Sequence, residues 1–164
     1  MKPTLSAVLV AALATLPVLS IPVGAEEAGA LQVHDAYLRS SSGMSGAGFM
    51  VIDNTGPEDC QLIAASTPAA GKAELHTHID EDGMMKMVHV PEGFTVPAGG
   101  HFMLERGGPH VMLMDLAGPL EQGDEVPMRL DFGPCGALDL VVNVDNDRRP
   151  GDGGHDDHDD HDSH

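Results

Sequence analysis

Short apolar segments separated by glycine and proline turns run through this chain and restrict what it can fold into. From Leu31 onward, runs such as GAGFMVIDN, KAELHTH, HVMLMDL and ALDLVVNV are each long enough for one strand, and turns such as 68–71 and 97–100 separate them. Strands at short, regular intervals are typical of an all-β sandwich or barrel. No segment has the periodicity of an amphipathic helix. We therefore predict an all-β domain of about seven to nine strands.

Both ends of the chain lie outside this pattern. Residues 1–25 combine a basic start, an apolar run over 5–21 and a small-residue cleavage signal, which predicts a secretory signal peptide. The alternative, an uncleaved membrane anchor, is disfavoured because the run is short and contains Pro17. Residues 26–146 form the predicted domain, with no stable membrane insertion after signal cleavage. Residues 147–164 are polar and of low complexity, which predicts a disordered tail.

Export and charge together narrow the classes of function. A signal peptide of this kind predicts an exported protein, and we expect the periplasm, which is oxidising. We expect Cys60 and Cys135 to form a structural disulfide, with a reactive pair as the alternative. The formal net charge of −18 argues against nucleic acid and favours a cationic ligand or a basic protein surface. No motif of a serine hydrolase, zinc protease or phosphate-binding loop is present, so we do not expect an enzyme.

Histidine and methionine are the residues that suggest chemistry. His110 and Met112 are two apart in a predicted strand, so their side chains project from the same face. A hairpin with its turn at 80–83 would bring His76 and Met87 together. Two histidines and two methionines would favour Cu(I), because thioether sulfur is a soft ligand. Core packing of methionine and solvation of histidine are the alternatives, and spacing alone does not decide between them.

The segments ELHTHIDEDGMMKM, VPAGG and GGPHVMLMDL resemble the PCu(A)C family of periplasmic copper chaperones, over roughly residues 33–144. The family pattern is a His, ten residues, a Met, about twenty-one residues and then His-x-Met. Here ten residues separate His76 from Met87, and twenty-two separate Met87 from His110. The resemblance implies a cupredoxin-like Greek-key sandwich or barrel that binds Cu(I) through His76, Met87, His110 and Met112. It also implies copper delivery to the Cu(A) centre of cytochrome c oxidase, with oxidase subunit II or a Sco-type thiol protein as acceptor.

The remaining histidines and methionines are not predicted to be ligands of the Cu(I) site. Met84 and Met85 are expected to flank the site, with Met85 as an alternative ligand, and Met114 is expected to pack in the core. We expect His78 to be solvated, with contact to the ion as the alternative, and His89 and His101 to be surface residues of their strands. Met44 is expected to lie in a loop, with closure over the site as the alternative. In the tail, histidines recur every three residues among aspartates, at His155, His158, His161 and His164. Imidazole with carboxylate suits Cu(II), Ni(II) or Zn(II). We hypothesise that the tail captures Cu(II) and raises the local copper concentration, with a merely solvated tail as the alternative.

Three other functions are compatible with parts of this pattern. The main alternative is a periplasmic copper or zinc buffer serving resistance, because the same ligands would serve it. An electron-transfer cupredoxin needs a cysteine thiolate with two histidines, and no histidine follows Cys135 until His155. A metal-free adhesion or assembly module is the third.

Overall fold

The computed structural model describes residues 29–149 as an all-β sandwich, which confirms the predicted fold class. The elements are β1 (Leu31–Ser42), β2 (Ser45–Asn54), β3 (Cys60–Leu62), β4 (Ala64–Ser66), β5 (Ala70–Glu81), β6 (Met84–His89), β7 (Phe94–Val96), β8 (Gly100–Leu104), β9 (His110–Leu116), β10 (Glu125–Asp131), the 3-10 turn Gly133–Cys135, and β11 (Ala137–Val144). These eleven strands exceed the predicted number. Part of the difference arises because the segment CQLIAAS forms two strands, β3 and β4, of three residues each, too short for an alternating pattern to separate them.

One large sheet carries most of the strands, in the order β4-β10-β11-β1-β2-β9-β5-β6. Strand β2 changes partner along its length, since residues 45–48 pair with β9 and residues 50–54 pair with β8. Strands β3 and β7 form a separate two-stranded sheet. The hairpin of β5 and β6 therefore lies at one end of the large sheet, with β9 beside it.

Alternation along the strands decides which face packs inward. On β9, Val111 and Leu113 are fully buried in the apolar core, and the residues between them face the other way. Strand β10 alternates in the same manner, with Met128 and Leu130 in the core. The His-x-Met motif thus lies on the outer face of β9, backed by a core that holds the strand in place.

A disulfide joins Cys60 on β3 to Cys135 in the 3-10 turn, with 5.9 Å between the Cα atoms. It ties the small sheet to the connection between β10 and β11. The two cysteines are separated by 75 positions in the sequence. In the chain-entropy treatment, closing a loop of this length raises the free energy of unfolding by about 4 kcal/mol, because it restricts the unfolded chain.

The predicted signal peptide and the tail histidines lie outside the described residues. The leader, 1–25, precedes the first described residue, and the description ends three residues into the predicted tail, at Arg149. Within residues 29–149, no helix has the length and apolar character needed to cross a bilayer.

Candidate metal centre

The β5–β6 hairpin carries the first half of the candidate site. Its two-residue turn, 82–83, has positive φ at both positions, as tight hairpins with an Asp-Gly turn require. The register places His78 opposite Met87 and His76 opposite His89. Directly opposed residues of an antiparallel pair share a face of the sheet. The hairpin therefore brings His76 and Met87 to one face as diagonal neighbours, not as a directly opposed pair.

Strand β9 places the second half of the site on the same face. His110 lies directly opposite His76, and Met112 lies opposite Glu74. On its other side, Met112 is opposite Ala47 of β2, whose small side chain leaves space above the sheet. Three adjacent strands thus present His76, Met87, His110 and Met112 on one surface.

An open pocket of about 460 Å³ lies over this surface. Three of the four predicted ligands, Met87, His110 and Met112, line it together with His78. His76 lies beside the pocket, with its ring centroid 6.0 Å from that of His110. The other walls are formed by Arg39, Ser40, Gly46, Ala47, Phe49, Arg106 and Gly107.

His110 is held in one orientation by the turn that precedes β9. The turn uses a positive φ at Gly107, and the carbonyl oxygen of Gly108 lies 2.9 Å from Nδ1 of His110. A carbonyl can only accept, so Nδ1 carries the proton and Nε2 keeps its lone pair. Burial lowers the pKa of His110, and this is the largest effect. The hydrogen bond to Gly108 raises the pKa, whereas the neighbouring rings of His78 and His76 lower it further. The neutral ring that a metal requires is therefore favoured at neutral pH.

His76 is oriented by a carboxylate. Its Nε2 lies 3.0 Å from a carboxylate oxygen of Glu74. Hydrogen bonds from Lys72 and His76 lower the pKa of Glu74 to about 2, so this carboxylate is ionised and accepts the Nε2 proton. The lone pair then lies on Nδ1, which is buried and has no hydrogen-bond partner in the described part of the chain. A carboxylate-oriented imidazole with its other nitrogen free is the usual arrangement of a metal-binding histidine.

His78 lies closer to the site than its sequence position indicated. It is half-buried, not solvated, with its ring centroid 5.3 Å from that of His110 and its Nδ1 3.4 Å from the carbonyl oxygen of Gly108. The signal that would have found it is its spacing, because residues two apart on a strand share a face.

The other histidines and methionines of the described residues do not line the pocket. Met114 is half-buried on the outer face of β9, so the expectation that it packs in the core is wrong. The exposed ones are Met44, Met84, Met85, His89 and His101. Within residues 29–149, no group of three or more His, Cys, Asp and Glu side chains is arranged to hold a metal ion. The candidate centre therefore depends on thioethers as well as imidazoles.

The sequence of the domain that carries this site matches a known protein family. The family model described as "Putative lipoprotein LpqE-like" matches residues 31–144, which is most of the chain and all but a few of the described residues. The chain belongs to the LpqE-like family. The match covers the whole sandwich, including both strands of the hairpin and the His-x-Met strand.

Individual relatives agree with the family assignment. A protein of Leifsonia xyli subsp. xyli, named "Putative lipoprotein Lxx21020", is 31% identical over 119 residues, covering 73% of this chain and 72% of the relative. The solution structure titled CuI-DR1885 from Deinococcus radiodurans matches with TM-score 0.57 and 31% identity, over 75% of this chain and 85% of that one. A copper-bound PCuAC domain from PmoF2 has the same fold, with TM-score 0.58 and 18% identity over 71% and 93%. The resemblance to the PCu(A)C family is confirmed.

We expect the ring of His110 in the metal-free protein to titrate below the ordinary histidine pKa of about 6.5. The folded state disfavours the protonated ring, so its contribution to stability is present above about pH 6.5 and is lost as the pH falls through the folded pKa. Ring carbon–proton NMR signals, assigned by comparison with a His110→Gln variant, measure the midpoint. A midpoint at or above that of the urea-unfolded chain would contradict the proposed burial.

Proposed function

We propose that this protein is a periplasmic copper chaperone that binds Cu(I) through His76, Met87, His110 and Met112. The observation that carries the proposal is that the two facing histidines, His76 and His110, each have one ring nitrogen free to bind a metal. Each donates one ring proton to a protein acceptor, Glu74 for His76 and the Gly108 carbonyl for His110, and keeps a lone pair on the other nitrogen. Both lie on the face that carries the two thioethers.

The donor set matches the chemistry of Cu(I). Thioether sulfur and neutral imidazole are soft or borderline ligands, and neither adds negative charge. Thioethers require no deprotonation, so proton competition arises only at the histidines, where the pKa of His110 is already lowered. A neutral shell leaves the ion with its positive charge, which favours transfer to an anionic thiolate. These properties suit a carrier better than a catalyst.

The relatives support copper as the cargo and export as the route. The titles of two similar structures name a copper-bound PCuAC domain and a Cu(I) form of DR1885. The matching family and the Leifsonia relative are described as lipoproteins, which agrees with the signal peptide predicted for residues 1–25. We place the protein in the periplasm on these grounds.

The acceptor in this proposal is subunit II of cytochrome c oxidase, for its Cu(A) centre, or a Sco-type thiol protein that serves it. Met87 is 47% exposed and lies on β6, at the end of the sheet order. An incoming thiolate can therefore displace this ligand first, while the buried His110 still holds the ion. The second candidate is a copper buffer, which the four histidines of the tail favour because they add metal-binding capacity outside the domain.

We expect one tight Cu(I) ion per domain, with binding weakened by at least about tenfold, or ~1.4 kcal/mol, when any one ligand is changed to alanine. The measurement is anaerobic Cu(I) titration against a competing chelator, in a chain ending at Arg149 so that the tail histidines do not contribute. His76→Ala and His78→Ala are compared directly, and His76→Ala should cause the larger loss.

Met103→Ala is the matched control for Met87→Ala. Met103 is 46% exposed, almost the same as Met87, but it does not line the pocket. Unchanged Cu(I) affinity in both His110→Ala and Met112→Ala would remove the proposed site. A larger loss in His78→Ala than in His76→Ala would replace one ligand and keep the rest.

Delivery and buffering predict different phenotypes for a strain that lacks the protein. If the protein serves oxidase assembly, cytochrome c oxidase activity should fall under copper limitation and return when copper is added, with copper tolerance unchanged. Oxidase activity and growth on a copper series measure the two properties, and complementation with His110→Ala is the control. Normal oxidase activity combined with copper sensitivity would reject delivery in favour of the buffer.

A further inference from the structure

Three arginines form a cationic cluster beside the metal pocket. Arg39 and Arg106 line the pocket wall, and the Cζ atom of Arg148 lies 4.3 Å from the ring centroid of Tyr37. Arg106 donates from Nη1 to the backbone oxygen of Arg148 at 3.4 Å. Burial raises the pKa of the Tyr37 phenol, and the charges of Arg148, Arg106 and Arg39 oppose this rise, which agrees with their lying in the same region. We call Arg39, Arg106 and Arg148 the arginine cluster.

Among the described residues, these arginine side chains form no ion pair with a carboxylate, although the chain has 26 acidic residues. The nearby carboxylate of Asp145 accepts from the backbone N–H of Arg148 instead, at 3.1 Å. The cationic side chains of Lys72, Lys86 and Arg129 each pair with a Glu or Asp. In the described part of the chain, no member of the arginine cluster forms such a pair. Nη2 of Arg39 donates to the backbone oxygen of Asn146 at 2.9 Å, which fixes the position of this guanidinium group. The cluster is therefore a group of cations without an ion-pair partner among the described residues.

The sequence supplies a carboxylate-rich segment that starts at this surface. Residues 150–164 contain six aspartates and no lysine or arginine, and they follow Arg148 after a single intervening residue. From Arg148, a row of ring contacts leads to the site: Tyr37 to Phe49 at 5.1 Å, and Phe49 to His110 at 6.2 Å. Fifteen residues reach up to roughly 50 Å when extended, so residues 150–164 are long enough to contact the arginine cluster and the pocket.

We propose that the acidic C-terminal segment, residues 150–164, docks on the arginine cluster at the rim of the metal pocket. Charge complementarity provides the attraction, because the aspartates would meet three guanidinium groups that form no ion pair among the described residues. Attachment in the same chain makes the contact intramolecular and raises the effective concentration to about the millimolar range. Docking would hold the tail histidines beside His110 and Met112. That consequence rests on the proposed copper function, whereas the docking itself does not.

Tyr37 provides a direct test, because it is the single tyrosine of a chain without tryptophan. Its fluorescence therefore reports on the cluster alone. With metal removed by a chelator, we expect the emission of the full chain to differ from that of a chain ending at Arg149 at about 0.01 M salt, and the difference to vanish at about 1 M salt. Because no metal is present, failure here leaves the copper proposal untouched.

A synthetic peptide of residues 150–164 should bind the shortened chain and restore the emission of the full chain. The same peptide with every Asp changed to Asn should not. In the double variant Arg39→Gln, Arg106→Gln, peptide binding should weaken by at least tenfold, whereas Arg129→Gln, a paired arginine on β10, is the control and should bind normally.

Three results would overturn the proposal. The first is identical Tyr37 emission in the full and shortened chains at low salt, together with identical side-chain NMR signals for Arg39 and Arg106. The second is equal binding of the Asp and Asn peptides, which would show that charge does not drive the contact. If the cluster binds an unrelated acidic peptide while the chain's own tail leaves the NMR signals unchanged, the surface serves another protein and docking of the tail is rejected.

Discussion

The pairing of β5 with β9 is the constraint on which the candidate site depends. Its register sets His76 opposite His110 and Glu74 opposite Met112. A shift of one residue would turn all of these side chains toward the core, because neighbouring residues of a strand face opposite sides. The buried partners Leu75, Val111 and Leu113 oppose such a shift, since it would expose them. The apolar core thus fixes the position of polar and thioether side chains that lie outside it.

The site combines a rigid part with an accessible part. His110 is 3% exposed, and its Nδ1 lies 2.9 Å from the carbonyl oxygen of Gly108 in the turn that precedes β9, so its ring is held in one position. Met87 lies on β6, has a flexible unbranched side chain and is reachable from solvent. Firm ligands on the inner strands and an exchangeable one at the end of the sheet are what a carrier needs, because a carrier must hold its ion and also release it.

The sequence allowed the fold class, the hairpin and the strand with His110 and Met112 to be predicted, because alternation and Asp-Gly turns are local signals. It did not reveal the role of Glu74, since a carboxylate two residues before His76 looks like any surface glutamate until β9 is placed beside it. It also underrated His78 and misplaced Met114. Both errors concern how deeply a side chain is buried on its face of the sheet. Burial depends on contacts between residues far apart in the sequence, here around β2 and β9. The change of partner along β2 has no local signal either.

The central claim is that two imidazoles and two thioethers converge on a single Cu(I) ion. X-ray absorption at the copper edge of the Cu(I)-loaded chain ending at Arg149 tests this most directly, because sulfur and nitrogen neighbours scatter differently. We predict two sulfur and two nitrogen neighbours of the copper, with one sulfur lost in Met112→Ala and one nitrogen lost in His76→Ala. A coordination shell of nitrogen and oxygen alone, or one that is unchanged in both variants, would contradict it.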